Sequence, residues 1–285
     1  MSAVAMEEEK QWTKMLPEAL AQIFTLLPLK DIMVTIPLVC KAWKRVAGDA
    51  VCWQVVDLSE WSKQHSSHDI NRMIELVIDR SRGCLKKLCV ANLEDEIAFA
   101  KIASSGDCLQ TLCIPFSKIS AACIQAAASQ FHAITYLDIS ECPLVTKWAL
   151  EELGQHCKSL VRLDRNMSLQ SNVENVGCDD EALAIAQNMC QLQRLELCYG
   201  LFTNKGLLAV LDNCTNLQHL DVRGCRYLEI QGDIALKCSK VQVFFRPYIG
   251  VDYYDDLDDW ESDISEDIWD ANVEEWAFSY DANLD

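Results

Sequence analysis

Fifteen cysteines, five histidines and the run Asp179-Asp180-Glu181 are the residues of this chain whose types could do chemistry. Thiols and imidazoles can hold a metal or act as nucleophile and base, and neighbouring carboxylates can share acid and base roles. Their spacing points elsewhere. No C-x-x-C pair occurs; the nearest thiol spacings are Cys84/Cys89 and Cys108/Cys113, and the closest histidine pair is His65/His68. Structural zinc needs tighter, duplicated spacing. The cysteine count is odd, the chain is not short, and its start, "MSAVAMEEEK", is acidic and lacks an apolar leader, so no disulfide framework is expected. Asp179-Asp180-Glu181 reads as the start of a helix. G-x-S-x-G, P-loop, dinucleotide-binding glycine and H-E-x-x-H patterns are all missing, and ten glycines leave little for phosphate cradles. The expectation is a chain with no catalytic residue, no cofactor and no bound metal.

The cysteines do follow an order, and repeats set it. "LKKLCVANL" at Leu85, "LQTLCIPFS" at Leu109, "ITYLDISEC" at Ile134, "LVRLDRNMS" at Leu160, "LQRLELCYG" at Leu192 and "LQHLDVRGC" at Leu217 stack on one template, with a weaker seventh, "VQVFFRPYI", at Val241. Their starts are 24, 25, 26, 32, 25 and 24 residues apart. This period with L-x-x-L-x-L is the leucine-rich-repeat signature. Each motif predicts a short parallel strand whose side chains alternate in and out. Each remainder predicts a helix on the convex side, as in "LFTNKGLLAVLDNC", where Thr203 can cap. Asp179 or Asp180 is expected to cap the helix before it. Cys84, Cys108, Cys157, Cys190, Cys214 and Cys238 precede strands, and Cys142 and Cys225 end them. Small and easily buried, they suit tight solenoid turns. "DINRMIELVIDRSR" (69–82) reads as a capping helix with Met73, Ile74, Val77 and Ile78 on one stripe. The polar stretch 59–68 reads as a linker.

The outward strand residues form two columns. Lys87, Thr111, Tyr136, Arg162, Arg194 and His219 make the first; Cys89, Cys113, Asp138, Asp164, Glu196 and Asp221 make the second. A basic row beside an acidic row is either a self-neutralised ladder or a polar surface that reads a partner. Tyr136, Asp138, Arg162, Asp164, Arg165, Arg194, Glu196, His219 and Asp221 are the candidates for the second reading. Arg165 breaks the template by standing where an inward apolar residue belongs. It must find an acceptor, or the strand must end early. The extra residues of that repeat (166–178) form either a loop on the binding side or a solvated loop.

Charge is uneven. Of a net −18, fourteen Asp and Glu with no Lys or Arg lie in 252–285, leaving −4 for residues 1–251. Such a body lacks the clustered cations that nucleic acid requires, and no segment has the apolar length of a membrane helix. A soluble protein, cytoplasmic and/or nuclear, is expected. The tail also carries Trp260, Trp269 and Trp276, in two sets at helical spacing: Leu257, Trp260, Ile264 and Ile268, then Trp269, Val273, Trp276 and Tyr280. It is expected either to dock by that aromatic edge or to remain a solubilising extension.

The N-terminal part is different in kind. From Leu16 to Leu58 it runs "LPEALAQIFTLLPLKDIMVTIPLVCKAWKRVAGDAVCWQVVDL". Pro17 suits a first helical turn, and Leu20, Ile23, Phe24 and Leu27 follow at helical spacing. Pro28 ends that helix, "LKDIMVTI" forms a second, and Pro37 is expected to open a third. Three short helices leave more apolar surface than they can bury among themselves. With Leu16-Pro17, Ile23-Phe24, Leu27-Pro28, Leu29, Asp31-Ile32, Val39-Cys40-Lys41, Trp43 and the closing Trp53, the segment resembles an F-box, departing at Pro37. The whole chain is similar to a small group of plant F-box proteins with short solenoids.

The resemblance implies an α/β protein: a three-helix F-box followed by a leucine-rich-repeat solenoid of about six or seven parallel strands. The implied divisions are 1–15 extension, 16–58 F-box, 59–84 linker and capping helix, 85–248 repeats and 249–285 acidic tail. It implies docking on a Skp adaptor through Leu16, Pro17, Leu20, Ile23, Phe24, Leu27, Leu29, Ile32, Val39, Cys40 and Trp43. Through the adaptor it implies a cullin and a RING subunit, and on the repeats an unidentified protein to be ubiquitinated. A repeat scaffold that promotes no degradation is the alternative.

Overall fold

Mostly leucine, isoleucine and valine at the first, fourth and sixth positions of the repeats point into one core, and every strand they define pairs with the next. In the computed structural model, which describes Trp12, residues 15–168 and residues 178–247, eight strands form one parallel sheet in sequence order. They are β1 (Val55–Asp57), β2 (Lys87–Cys89), β3 (Thr111–Cys113), β4 (Tyr136–Asp138), β5 (Arg162–Asp164), β6 (Arg194–Glu196), β7 (His219–Asp221) and β8 (Val243–Phe245). Register is unbroken from Val56 through Leu88, Leu112, Leu137, Leu163, Leu195 and Leu220 to Phe244. Most of the expected 166–178 insertion and the expected tail 249–285 lie outside the described residues.

The helical module before the sheet contains α1 (Pro17–Phe24), α2 (Ile36–Val39) and α3 (Lys41–Ala47). Pro37 was expected to open the third; instead it lies inside the second. A proline cannot donate to the carbonyl four residues back. The chain answers with a π-helical turn, Asp31–Thr35, in which Ile36 N–H reaches the Asp31 carbonyl. The break comes at Cys40, whose backbone is extended (φ −164°, ψ 166°).

The larger surprise is β1. The boundary expected at Leu58 does not divide the structure, because the end of the helical module is itself a strand of the solenoid. Trp53, Val56 and Leu58, all 2% exposed or less, fill the inward positions that Leu85, Leu88 and Val90 fill one repeat later. The Trp53 indole donates to the Ala47 carbonyl at 2.8 Å, fixing α3 to the first repeat. Buried side chains form one continuous core from Leu20 to Val241.

The linker and cap expected at 59–84 are likewise part of this first repeat. α4 (Ser59–Gln64) and α5 (Ser67–Ser81) form its convex side. Ser62, fully buried, accepts the Ala91 N–H at 2.8 Å, and the Ser66 side chain caps α5 through Asp69 N–H. Polar residues made the stretch read as a linker, yet these two hydroxyls are spent on buried or capping backbone N–H groups. The later convex helices are α6 (Glu96–Ser104), α7 (Ala121–Ala127), α8 (Lys147–His156), α9 (Asp180–Asn188), α10 (Asn204–Asn213) and α11 (Gly232–Cys238). Asp179 sits at the start of α9 without capping it. Its carboxylate accepts the Thr203 and Gly206 N–H groups of the following repeat, at 2.7 and 3.1 Å. Thr203 does cap α10, accepting from Lys205 N–H.

After β2, β3, β4, β6 and β7 the chain turns through the left-handed region at an equivalent place: Asn92, Phe116, Glu141, Tyr199 and Gly224, with φ between 52° and 73°. Gly224 is required there, since a Cβ would come within 2.4 Å of the Tyr199 ring. The next residue closes the turn. Cys142 donates its thiol to the Ile114 carbonyl (3.2 Å) and Cys225 to Leu197 (3.0 Å), each reaching the previous repeat. Burial raises these thiols to about 11 and 12, so they stay protonated donors.

Candidate functional site

Two surfaces collect the residues singled out from the sequence. The first is the helical module. Leu20, Phe24 and Ile32, expected to face an adaptor, are buried. They pack the inside of the module, Phe24 edge-on to Trp43 at 5.3 Å, and cannot meet a partner without unfolding. Three short helices have to spend part of their apolar stripe on one another. Ile23, Leu29, Cys40 and Trp43 are half-buried, while Leu16, Pro17, Leu27 and Val39 are exposed. Leu26 and Leu38, which the sequence reading passed over, are more exposed still, at 83% and 76%. Leu26 lies just past the end of α1 and Leu38 in the last turn of α2, each beside a residue that was chosen. That adjacency was the available signal, since apolar neighbours at the end of a short helix turn outward together.

The second surface is the concave face. In one column Tyr136, Arg162, Arg194 and His219 are in register; in the other, Asp138, Asp164, Glu196 and Asp221. The Arg162 guanidinium forks onto its own strand's Asp164 (Nε–Oδ1 3.1 Å, Nη2–Oδ2 2.6 Å) and lies 4.0 Å over the Tyr136 ring. The Tyr136 hydroxyl donates to Asp164 at 2.8 Å. Arg194 holds Glu196 at 2.5 Å, and Arg162 stands 3.8 Å from that carboxylate. On β5 and β6 the rows therefore neutralise each other within each strand, into a fixed charge pattern.

Three contributors were missed. Asn166 Nδ2 donates to Glu196 at 3.0 Å, Arg223 forks onto Asp221, and Phe245 packs under Arg223 and beside His219. Asn166 and Arg223 lie two residues beyond a strand's outward residue and keep its alternation. Extending the period by one step would have found them. His219 Nε2 is buried without a hydrogen-bond partner, and burial together with Arg194 holds its pKa below the ordinary imidazole value.

Arg165 does not belong to this face. It is 4% exposed and points inward, where Nε and Nη2 both bond the Glu181 carboxylate at 3.2 Å and Nη2 also reaches the Val145 carbonyl at 3.2 Å. The acceptor lies sixteen residues on, at the start of α9. The candidate substrate contact is thus a strut across the repeat that carries the insertion.

Asp138 stands apart from its column. Burial raises its carboxyl above the ordinary value, Asp164 and Glu196 raise it further, and bonds from Ser140 oppose the shift. A carboxyl whose folded pKa exceeds its unfolded one binds more protons when folded, so its contribution to stability is lost as pH rises through the folded value. Asp138→Asn keeps an oxygen for the Ser140 N–H (2.9 Å). It is expected to raise the melting temperature at pH 7 and to leave it unchanged near pH 3. Thermal melts at both values check this.

Among the described residues no group of three or more His, Cys, Asp or Glu is placed to hold a metal ion, and no described helix is long and apolar enough to cross a membrane.

A parallel solenoid whose first strand is supplied by a short helical module defines a leucine-rich-repeat protein with a helical unit built into one end. No family model matches the chain. Curated proteins do. It is 36% identical to F-box protein FBW2 of Arabidopsis thaliana over 90% of this chain and 82% of that protein. It is 30% identical to F-box protein SKIP19 of the same plant over 86% of this chain and 80% of that protein. Identity to Putative F-box/LRR-repeat protein 23, also from Arabidopsis thaliana, is 30% over 80% of this chain and 51% of that protein. The chain belongs to the F-box/leucine-rich-repeat protein family.

Proposed function

We propose that this protein is the substrate-receiving subunit of an SCF-type ubiquitin ligase and is not itself a catalyst. The helical module docks on a Skp adaptor, and the concave face of β4–β7 holds the protein to be ubiquitinated. The observation that carries the reading is the apolar surface left on the module after its own core is filled: Leu16, Leu26, Leu27, Leu38 and Val39 stay exposed. A partner that covers them gains about 1.5–3 kcal/mol for each side chain fully buried. The fixed, self-neutralised charges suit recognition by orientation, because a partner need not break them to match them.

Leu27→Asp with Val39→Asp tests it. Both side chains are exposed, so the melting temperature is expected to hold. Affinity for a purified Skp adaptor, read by titration calorimetry, is expected to fall by more than about tenfold, the equivalent of about 1.4 kcal/mol. Undiminished affinity in a folded double variant overturns the docking face.

A further inference from the structure

Cysteine recurs throughout this solenoid, but only once do two cysteines face each other across a strand pair of the described sheet. Cys89 of β2 and Cys113 of β3 are partners in register. Both occupy the outward third position of their strands and so share the concave face. Neighbouring strands lie about 4.8 Å apart, inside the roughly 4.4–6.8 Å between Cα atoms that a disulfide spans. Each residue is largely covered, with 4% and 7% of its surface exposed. The column continues to Asp57 on one side and Asp138 on the other.

The two thiols are not equivalent. The interaction between the two thiols holds Cys113 below the ordinary thiol value, against burial and Asp138, and together with burial raises Cys89. The Lys87 ammonium stands near both sulfurs and the Tyr136 hydroxyl near Cys113. One thiol is thus prepared to ionise, and its neighbour to keep a proton until it is needed. Nucleophilic and resolving cysteines differ in this way. The remaining concave thiol, Cys198, is raised by burial and by Asp221.

We propose that Cys89 and Cys113 form a redox-active dithiol on the concave face, closed to a disulfide by hydrogen peroxide and reopened by a dithiol reductant. The Cys113 thiolate attacks one peroxide oxygen. The O–O bond breaks, and hydroxide leaves and takes up a proton as water, giving a sulfenic acid. Cys89 then attacks that sulfur, its proton passing to the departing hydroxyl. The S–S bond forms, the S–O bond breaks and a second water leaves. The thiols lose two electrons and one peroxide becomes two waters. The exposed thiols Cys84, Cys108, Cys178 and Cys190 lie outside the strands, where no ladder pairing fixes one thiol opposite another. Closure staples the first two full repeats and removes two S–H groups from the floor of the groove, between Asp57 and Asp138.

The test uses the reduced full-length chain, treated with one equivalent of hydrogen peroxide, quenched by alkylation in denaturant and mapped by peptide mass. A Cys89–Cys113 crosslink, forming about tenfold sooner than oxidation at any other cysteine and reversed by dithiothreitol, is the expected result. Cys89→Ser is expected to stop at a Cys113 sulfenic acid that dimedone traps. Cys178→Ser is expected to behave as the parent. If both thiols are recovered alkylated while other cysteines oxidise, or if a different pair crosslinks first, the proposal is overturned. Wild-type mapping decides alone should the serine variant fail to fold.

Discussion

Replacing Glu181 by Ala is expected to lower the melting temperature by roughly 6–12 °C, as about 3 kcal/mol of stability is lost at about 2–4 °C per kcal/mol. Glu181 is itself two-fifths exposed, so its own removal from water costs little. Arg165 is not: at 4% exposure its guanidinium is left inside with backbone carbonyls for company. Removing one partner of such a pair costs far more than removing both. Arg165→Met combined with Glu181→Ala is therefore expected to recover most of the loss, because an unbranched apolar side chain suits the inward sixth position of the repeat. Differential scanning calorimetry of the two single variants and the double variant closes the cycle. A double variant no more stable than Glu181→Ala would show that the pair is not what holds this repeat.

The second large effect is expected at Trp53. Its ring is fully buried, its N–H is spent on Ala47, and the Arg80 guanidinium lies 5.9 Å above it. Trp53→Ala is expected to cost about 3–5 kcal/mol. The loss is expected on both sides of the residue. Hydrogen exchange should accelerate in α1–α3 and in β1–β2 together, since one side chain serves both. Trp53→Phe keeps most of the packing and strands the Ala47 carbonyl, at about 1–3 kcal/mol. Faster exchange in the helices alone would mean that the module and the solenoid have separate cores.

That double duty also explains where the sequence was and was not legible. The repeats were legible from Leu85 onward because leucine recurs in a fixed alternation. The first strand follows the same template, Trp53-x-x-Val56-x-Leu58, but an aromatic and a β-branched residue stand in for two leucines. The tryptophan was already assigned to the helical module, which hid its second role. Polar side chains misled in the same way at 59–68, where Ser62 looked like linker and is core. The charged columns of the concave face were visible from alternation alone. Their pairing was not, because a fork such as Arg162 on Asp164 depends on rotamers within one strand. Arg165 was correctly seen as a misfit, yet its acceptor could not be named, since Glu181 lies sixteen residues on, in the first turn of the next convex helix. On the helical module, periodicity could say which residues are apolar but not how three short helices divide them between inside and outside.

Because β1 is made by the helical module, the sheet has a fixed origin in that module and no swivel between the two. Each later strand is one increment of about 4.8 Å along a rail. In the proposed assembly, cargo gripped at β7 stands about 24 Å farther along that rail than cargo gripped at β2. Where a protein is held and which of its lysines is offered for modification then become a single variable, set in whole steps by the choice of strand.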